Sequence, residues 1–345
     1  MFRVSRRFFA QKVLGILLGI ALCFSCLFFS AGLTAQSKAT PLDVPVAKAG
    51  MIVMEIGEFD LQKNTFSATF WVWITSDGER GDDLELVDWL NATELVTLQK
   101  QSAVVDGEYW NLRKMRGTFA TEWDLRNFPV DRQNLTIRLE ATEKEINAYV
   151  YEKDSESPSY LHEVDIPGWS VGALEAITGV NTYRSNFGDP RILADTVSKF
   201  SFIEFTVEIR RKNHSVLLKV LAGALASSIL VFASYGFHLV IPSTIPTRFS
   251  LLSGSVFAVV LSLRAASSKI SDPPYITSVD TIHLFVVAYI IVGVVAGMVY
   301  FRGVHVSDGS DHAFIRKVNK RVGIISTSIV AVAVALILLK MFLHF

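Results

Sequence analysis

PTRFSLLSGSVFAVVLSLRAASSK, residues 246–269, is long enough to cross a bilayer, yet it carries serines, a glycine and, well inside it, Arg264. Taken every third and fourth residue from Ser250, it gives Ser250, Gly254, Phe257, Leu261, Arg264 and Ser268, one face of an α-helix. The other faces carry Leu251, Leu252, Val256, Val259, Val260 and Leu263, side chains suited to neighbouring helices or lipid. The polar atoms thus collect on a stripe that several copies would turn toward a common axis.

The whole chain explains why such a helix belongs here. Half of the 345 residues are apolar, and Lys+Arg equal Asp+Glu at 33 each. A mean hydropathy of +0.37 is too apolar for an ordinary soluble protein, and a zero net charge argues against a nucleic-acid partner. Cys23 and Cys26 are the only cysteines and both lie in the first apolar run, so neither disulfides nor cysteine metal sites organise the rest. That first run follows Arg3, Arg6, Arg7 and Lys12 and ends in small residues, the anatomy of a secretory signal over 1–35, cleaved after Ala35 or Ala39. An uncleaved first transmembrane helix, Val13 to Leu33, is the alternative reading of the same residues.

Residues 36–214 read as an exported β-sandwich. MIVMEIGEF and TFSATFWVWI, separated by Gln62, Lys63 and Asn64, read as a hairpin. NLTIRLEA, INAYVYE, GWSVGALEAI and SKFSFIEFTVEIR supply further strands, and Asp106-Gly107 is a strong turn signal. DSESPS, residues 154–159, has the composition of a solvated turn. Many short strands without a long helical pattern imply antiparallel layers.

Residues 215–345 change character and contain four runs of spanning length: 216–239, 246–270, 279–301 and 322–345. Only a helical bundle satisfies their backbone groups in lipid. The connection between the third and fourth runs has five Lys or Arg against two Asp, which keeps it cytoplasmic. Export of the sandwich and four crossings agree with that orientation: a multi-pass protein of the inner (plasma) membrane with its N-terminal domain periplasmic or extracellular. Enzyme signatures (HExxH, a P-loop, G-x-S-x-G, a dinucleotide fingerprint) are absent, so neither catalysis nor a cofactor is expected.

The order of these pieces, and four segments in particular, resemble the pentameric ligand-gated ion channels, the Cys-loop receptor superfamily, in its bacterial type without the loop cysteines. WDLRNFPVDRQNLTIRLE, residues 123–140, is similar to the family's Phe-Pro-x-Asp loop and following strand. TFWVWI resembles its aromatic second strand, and EIRRKNHSVLLK, residues 208–219, its arginine-bearing junction. KISDPPYITSVDTIH, residues 269–283, is similar to its loop between second and third helices. The proline usual in the first helix is missing, and Ser271 replaces the one usual after the second.

The resemblance implies a homopentamer around a central pore lined by the stripe from Ser250 to Ser268, opened by a small-molecule or ionic ligand acting on the exported domain. Pro246, Thr247 and Arg248 resemble the Pro-Ala-Arg element of the anion-selective branch, and no Asp or Glu occurs between Leu239 and Ser271, so permeant anions such as chloride are expected. A snorkelling interfacial arginine is the alternative for Arg248. Arg264, roughly 24 Å along the helix from it, faces either the lumen or the outer interface. Phe257 and Leu261 are candidates for a hydrophobic gate. Coupling is expected at Pro129, at Asp131 paired with Arg210 or Arg211, and at Asp272 and Tyr275. By family position, a ligand site would draw on Tyr149, Tyr151, Trp169, Tyr183 and Phe187, with Arg184 beside them. From a different class, a membrane-anchored periplasmic sensor or binding protein with a non-conducting bundle fits the same architecture.

Overall fold

The computed structural model describes residues 44–77, 83–142, 145–148, 150–190, 193, 196–212, 215–237, 241, 244–268, 270, 273–306 and 312–343. The expected signal segment, Tyr149 and Asp272 lie outside them. Ten strands come first: β1 Val46–Asp60, β2 Thr65–Asp77, β3 Val87–Trp89, β4 Ala92–Val105, β5 Glu108–Ala120, β6 Arg132–Ala141, β7 Val150–Lys153, β8 Tyr160–Leu161, β9 Trp169–Tyr183 and β10 Ser198–Arg211. Four helices follow: α1 Ser215–Ser234, α2 Thr244–Ser267, α3 Ser278–Val306 and α4 His312–Leu343. Two compact units result: Leu125–Val130 groups with the helices, and the flanking residues up to Asp124 and from Asp131 group with the sheets.

In the sheet unit one sheet runs β4-β5-β2-β1-β7, with β8 also on β1, and the other runs β3-β6-β10-β9. Alternation sets the faces. Along β10, Ile203, Phe205, Val207 and Ile209 are buried while their neighbours are less so. Met51, Val53, Phe66 and Ala68 of one sheet and Leu135, Ile137, Phe205 and Val207 of the other line a single apolar cleft, so the sheets form two packed layers. Each such large side chain withdrawn from water contributes about 1.5–3 kcal/mol.

Local chemistry closes the hairpins. Asp60 accepts the N–H groups of Gln62 and Lys63, each at 2.9 Å, and Asn64 takes the left-handed conformation at φ 57°. The Lys63 N–H bond holds the Asp60 carboxyl below the usual carboxylate range. Between β4 and β5 both turn residues have positive φ, Asp106 at 53° and Gly107 at 89°, the conformation that matches strand twist.

In the helical unit, the four helices are long and apolar enough to cross a membrane, the pattern of a multi-pass membrane protein. α1 and α2 approach through small residues. A Cβ on Gly223 would lie 2.5 Å from Ser262 Cβ, Ser227 Oγ donates to Ser255 O at 2.9 Å, and Ser262 Oγ reaches Val220 O at 2.9 Å. Tyr289 and Thr327 tie α3 to α4 with their hydroxyls 2.5 Å apart.

Helix ends differ from the expected spans. α1 stops at Ser234 ahead of the turn containing Gly236, whereas α3 runs on to Val306 and α4 begins at His312. Most of the basic connection is therefore helix. Hydropathy marks where lipid ends, but Arg, Lys and Gln-type side chains propagate a helix well beyond it.

Gly50 opposes Trp73 across β1 and β2, and a Cβ there would lie 2.1 Å from the indole, whose N–H donates to Asp154 Oδ2 at 2.9 Å. Gly50→Ala is expected to destabilise the sheet unit by about 1–3 kcal/mol through overpacking. Denaturant unfolding of the detergent-solubilised protein, followed by tryptophan fluorescence, checks this; an unchanged midpoint contradicts it.

Candidate functional site

A row of outward side chains on α2 stands out first. Arg248, Leu252, Ser255, Val259 and Ala266 are the buried residues of the helix. Ser250, Phe257, Leu261, Arg264 and Ser268 are all exposed, Phe257 to 71% and Leu261 to 65%, and Gly254 has open space where a Cβ would be. The whole predicted stripe therefore lies on the side of α2 that its own helical unit leaves uncovered. Pro246 and Thr247 are exposed at its start.

Arg248 does not share that face. At about 100° per residue, the six stripe residues lie roughly 160–240° around the helix from it, and it is fully buried. Its guanidinium lies 5.2 Å from the Tyr235 ring centre and 5.9 Å from that of Tyr300, and Nη1 donates to Asn319 Oδ1 at 3.1 Å. The element grouped in sequence as Pro246, Thr247 and Arg248 is thus split, with its charge inside the helical unit. The helix interior claims Arg248 because two rings and an amide there can stabilise a cation.

Polar links also run through α2 at mid-length. His283 is fully buried, its Nδ1 2.8 Å from Val279 O and its Nε2 3.0 Å from Ser262 Oγ. Ser262 thereby ties α2 to both α1 and α3.

The second cluster, within the sheet unit, surrounds the residues where the chain leaves it. Arg211 Nε and Nη2 hold Asp131 Oδ1 and Oδ2 at 2.8 and 3.4 Å, its backbone N–H donates to Asp131 O, and its guanidinium lies 4.1 Å from the Trp169 ring centre. Gln133 completes the arrangement: its Nε2 donates to Asp131 Oδ2 at 2.7 Å and to Asp124 O at 2.9 Å, while its Oε1 accepts the Asp124 N–H at 2.9 Å. One side chain thus holds both ends of the 125–130 segment. Of the two arginines proposed for Asp131, Arg211 pairs with it; Arg210 pairs with Glu208 and stays exposed.

Leu125–Val130 is held in turn by the helical unit. Leu125 N–H donates to Tyr275 Oη at 2.9 Å, Arg126 lies 4.8 Å from the Tyr275 ring centre, and Ser278 N–H donates to Arg126 O at 2.8 Å. Phe128 and Pro129 are joined by a cis peptide and both are buried, while Val130 packs with Leu217, Leu221, Ile282 and Met341.

Of the described residues expected to hold a ligand, only Tyr183 and Phe187 come together. Tyr151 is 1% exposed and belongs to the core, and Trp169 is buried under Arg211. Tyr183 and Phe187 do meet, at 5.5 Å between ring centres, with Phe200 5.9 Å from each. Tyr183 Oη donates to Glu140 Oε1 at 2.8 Å, and Asn181 bonds the other carboxylate oxygen. Burial, seconded by Glu140, raises the Tyr183 pKa. Phe187 is 63% exposed, and Arg184 beside it is exposed as well. The result is an aromatic and carboxylate corner on the β9–β10 hairpin. Tyr151 and Trp169 thus lie apart from that corner within the sheet unit, because the strand face that each residue takes depends on register.

Arg126, Asn319 and His283 were not singled out among the expected site residues, although Arg126 and His283 lie within the family-like segments. Asn319 was hidden inside a stretch read as a loop. His283 sat in an apolar run, where an ionisable residue is itself a signal. Among the described residues no group of His, Cys, Asp and Glu is placed to hold a metal.

No protein-family model matches this chain. A search of curated proteins likewise returns no relative.

Tyr275→Phe is expected to speed hydrogen exchange at the Leu125 amide by about tenfold while leaving the Ser278 amide protected, since only the hydroxyl acceptor is lost. Tyr275→Ala, which also removes the ring under Arg126, is expected to release both amides. Equal protection of Leu125 in the wild type and both variants contradicts this anchoring.

Proposed function

We propose that the chain is a subunit of a homopentameric ligand-gated ion channel with anion selectivity, α2 lining the pore and the sheet unit receiving the ligand. The observation that carries this reading is the outward stripe of α2. A helix packed in an anchor would point Ser250, Ser268 and Arg264 inward or toward partners, yet its own unit leaves all three uncovered beside Phe257 and Leu261. Five copies facing one axis would give these groups water, and the two apolar side chains would form a constriction that dewets. Arg264 would then form a ring of positive charge attractive to anions.

Other features support assembly and coupling. β4 is an edge strand with Val96, Leu98, Val104 and Val105 exposed, a surface that a second copy would cover. Leu125–Val130 belongs by its contacts to the helical unit, while the Arg211–Asp131 pair and Gln133 fix its ends in the sheets, so a change in either unit reaches the other along the chain. The corner of Tyr183, Phe187 and Glu140 is the candidate ligand contact, with the acceptors and ring faces suited to a cationic or proton-bearing ligand. The four-segment resemblance to the pentameric ligand-gated channels supports the same reading.

The test is stoichiometry and current. Purified protein reconstituted in planar bilayers under a chloride gradient is expected to be pentameric and to reverse near the chloride equilibrium potential. Arg264→Glu is expected to move the reversal potential toward that of the cation, and Phe257→Ala to raise current without ligand. A non-pentameric assembly that carries no current at any ligand or pH tried contradicts the channel and favours the anchored sensor.

A further inference from the structure

Arg248 presents a buried charge that its own unit only half satisfies. Its side chain is wholly enclosed, and a guanidinium keeps its charge at every physiological pH. The guanidinium lies over the Tyr235 and Tyr300 rings, and Asn319 takes Nη1. Nε and Nη2 have no acceptor among the described residues, and no carboxylate there pairs with Arg248. The Tyr300 hydroxyl is likewise buried with no hydrogen-bond partner among the described residues.

These two nitrogens form the side of the guanidinium that takes a bidentate anion. The molecule supplies its own comparison: in Arg211 the same Nε and Nη2 grip the Asp131 carboxylate. In Arg248 the Nε side looks toward Gly297 of α3, where a Cβ would lie 3.3 Å from Nε and 3.6 Å from Cζ. Any larger residue at that position would crowd the fork.

An unpaired charge in a low-dielectric interior is among the most costly arrangements a protein can hold, so the fork requires a counter-charge. Two guanidinium nitrogens that can only donate, and a phenol that can donate as well as accept, none with a partner among the described residues, call for a ligand that accepts and is negative. Complete enclosure of the side chain limits its size. We propose that Arg248 binds an inorganic anion of halide size on its Nε and Nη2 edge, with the Tyr300 hydroxyl as a further donor, inside each helical unit and apart from the stripe. The site does not depend on whether the chain conducts. Bound anion would fasten α2 to α3 and α4 at one end, through Arg248, Tyr300 and Asn319.

The test uses the full chain with bromide as the probe. Anomalous scattering from crystals grown in bromide is expected to show a peak within hydrogen-bond distance of Arg248 Nε and Nη2. In nanodiscs of zwitterionic lipid, thermal unfolding at constant ionic strength is expected to shift upward, saturably, in tens of millimolar bromide or chloride relative to gluconate. Tyr300→Phe is expected to raise the bromide midpoint about fivefold to tenfold through loss of one charge-assisted bond. Arg248→Met is expected to abolish the saturable shift, and Gly297→Ala, which crowds Nε while keeping the charge, is expected to weaken bromide as Tyr300→Phe does, so the test survives should Arg248→Met fail to fold.

Four results would overturn the proposal. A carboxylate of Asp308 or Asp311, which lie outside the described residues, could occupy the fork in density. Gluconate could stabilise as well as bromide. Stabilisation could require anionic lipid with no bromide peak, assigning the fork to a headgroup phosphate. A peak seen only at molar bromide, without a thermal shift, would mean an adventitious ion only.

Discussion

The ion pair of Arg211 with Asp131 holds together the two places where the sheet unit joins the rest of the chain. Asp131 is 1% exposed at its side chain and Arg211 13%, so both charges have left water and must satisfy each other. Removing one partner of such a pair costs about 3–5 kcal/mol, because the other is left uncompensated. Further contacts hold the pair: Gln133 bonds the carboxylate, the Trp169 face lies against the guanidinium, and the Arg211 N–H donates to Asp131 O. The pair lies at two chain exits at once. Asp131 follows the 125–130 segment, and Arg211 ends β10 just before α1.

Within the helical unit the governing problem is different: apolar helices in lipid gain little from hydrophobic contact with each other. Close approach of small residues does the packing. Gly223, Ser227, Ser255 and Ser262 let α1 and α2 come together, and the Ser227 and Ser262 hydroxyls bond to backbone carbonyls across the seam. His283 extends that seam to α3. With one side of α2 spent this way, and Arg248 drawn inward by two tyrosines and Asn319, the opposite side is left with Phe257, Leu261, Arg264 and three small or polar positions. What the helix exposes is therefore set by what it buries.

Much of this was legible in the sequence where a single local rule decides. The Asp106-Gly107 turn needs two positive φ angles, and the alternation of SKFSFIEFTVEIR leaves one possible buried face. The α2 stripe followed from a period of 3.6 alone. Where the outcome depends on neighbours remote in sequence, local rules fail. Nothing in PTR says that Arg248 will meet Tyr235, Tyr300 and Asn319, because those lie on three other segments of the chain. Nothing local to Trp169 says that Arg211, 42 residues on, will stack on its ring. Strands β4 and β5 were marked only by the turn between them, since β4 is an edge strand whose mostly exposed residues hide the period of two.

The central claim is that the uncovered side of α2 faces water across the membrane, and single cysteines along the helix test it most directly. In intact membranes, cysteines at positions 250, 254, 257, 261, 264 and 268 should react with a charged, membrane-impermeant thiol reagent, those beyond the apolar pair from only one side when the protein is at rest. Cysteines at 252, 255, 259 and 266 should stay protected. Uniform protection along α2, or reactivity without a period of three to four residues, would contradict a water-lined path and leave the helix as an anchor.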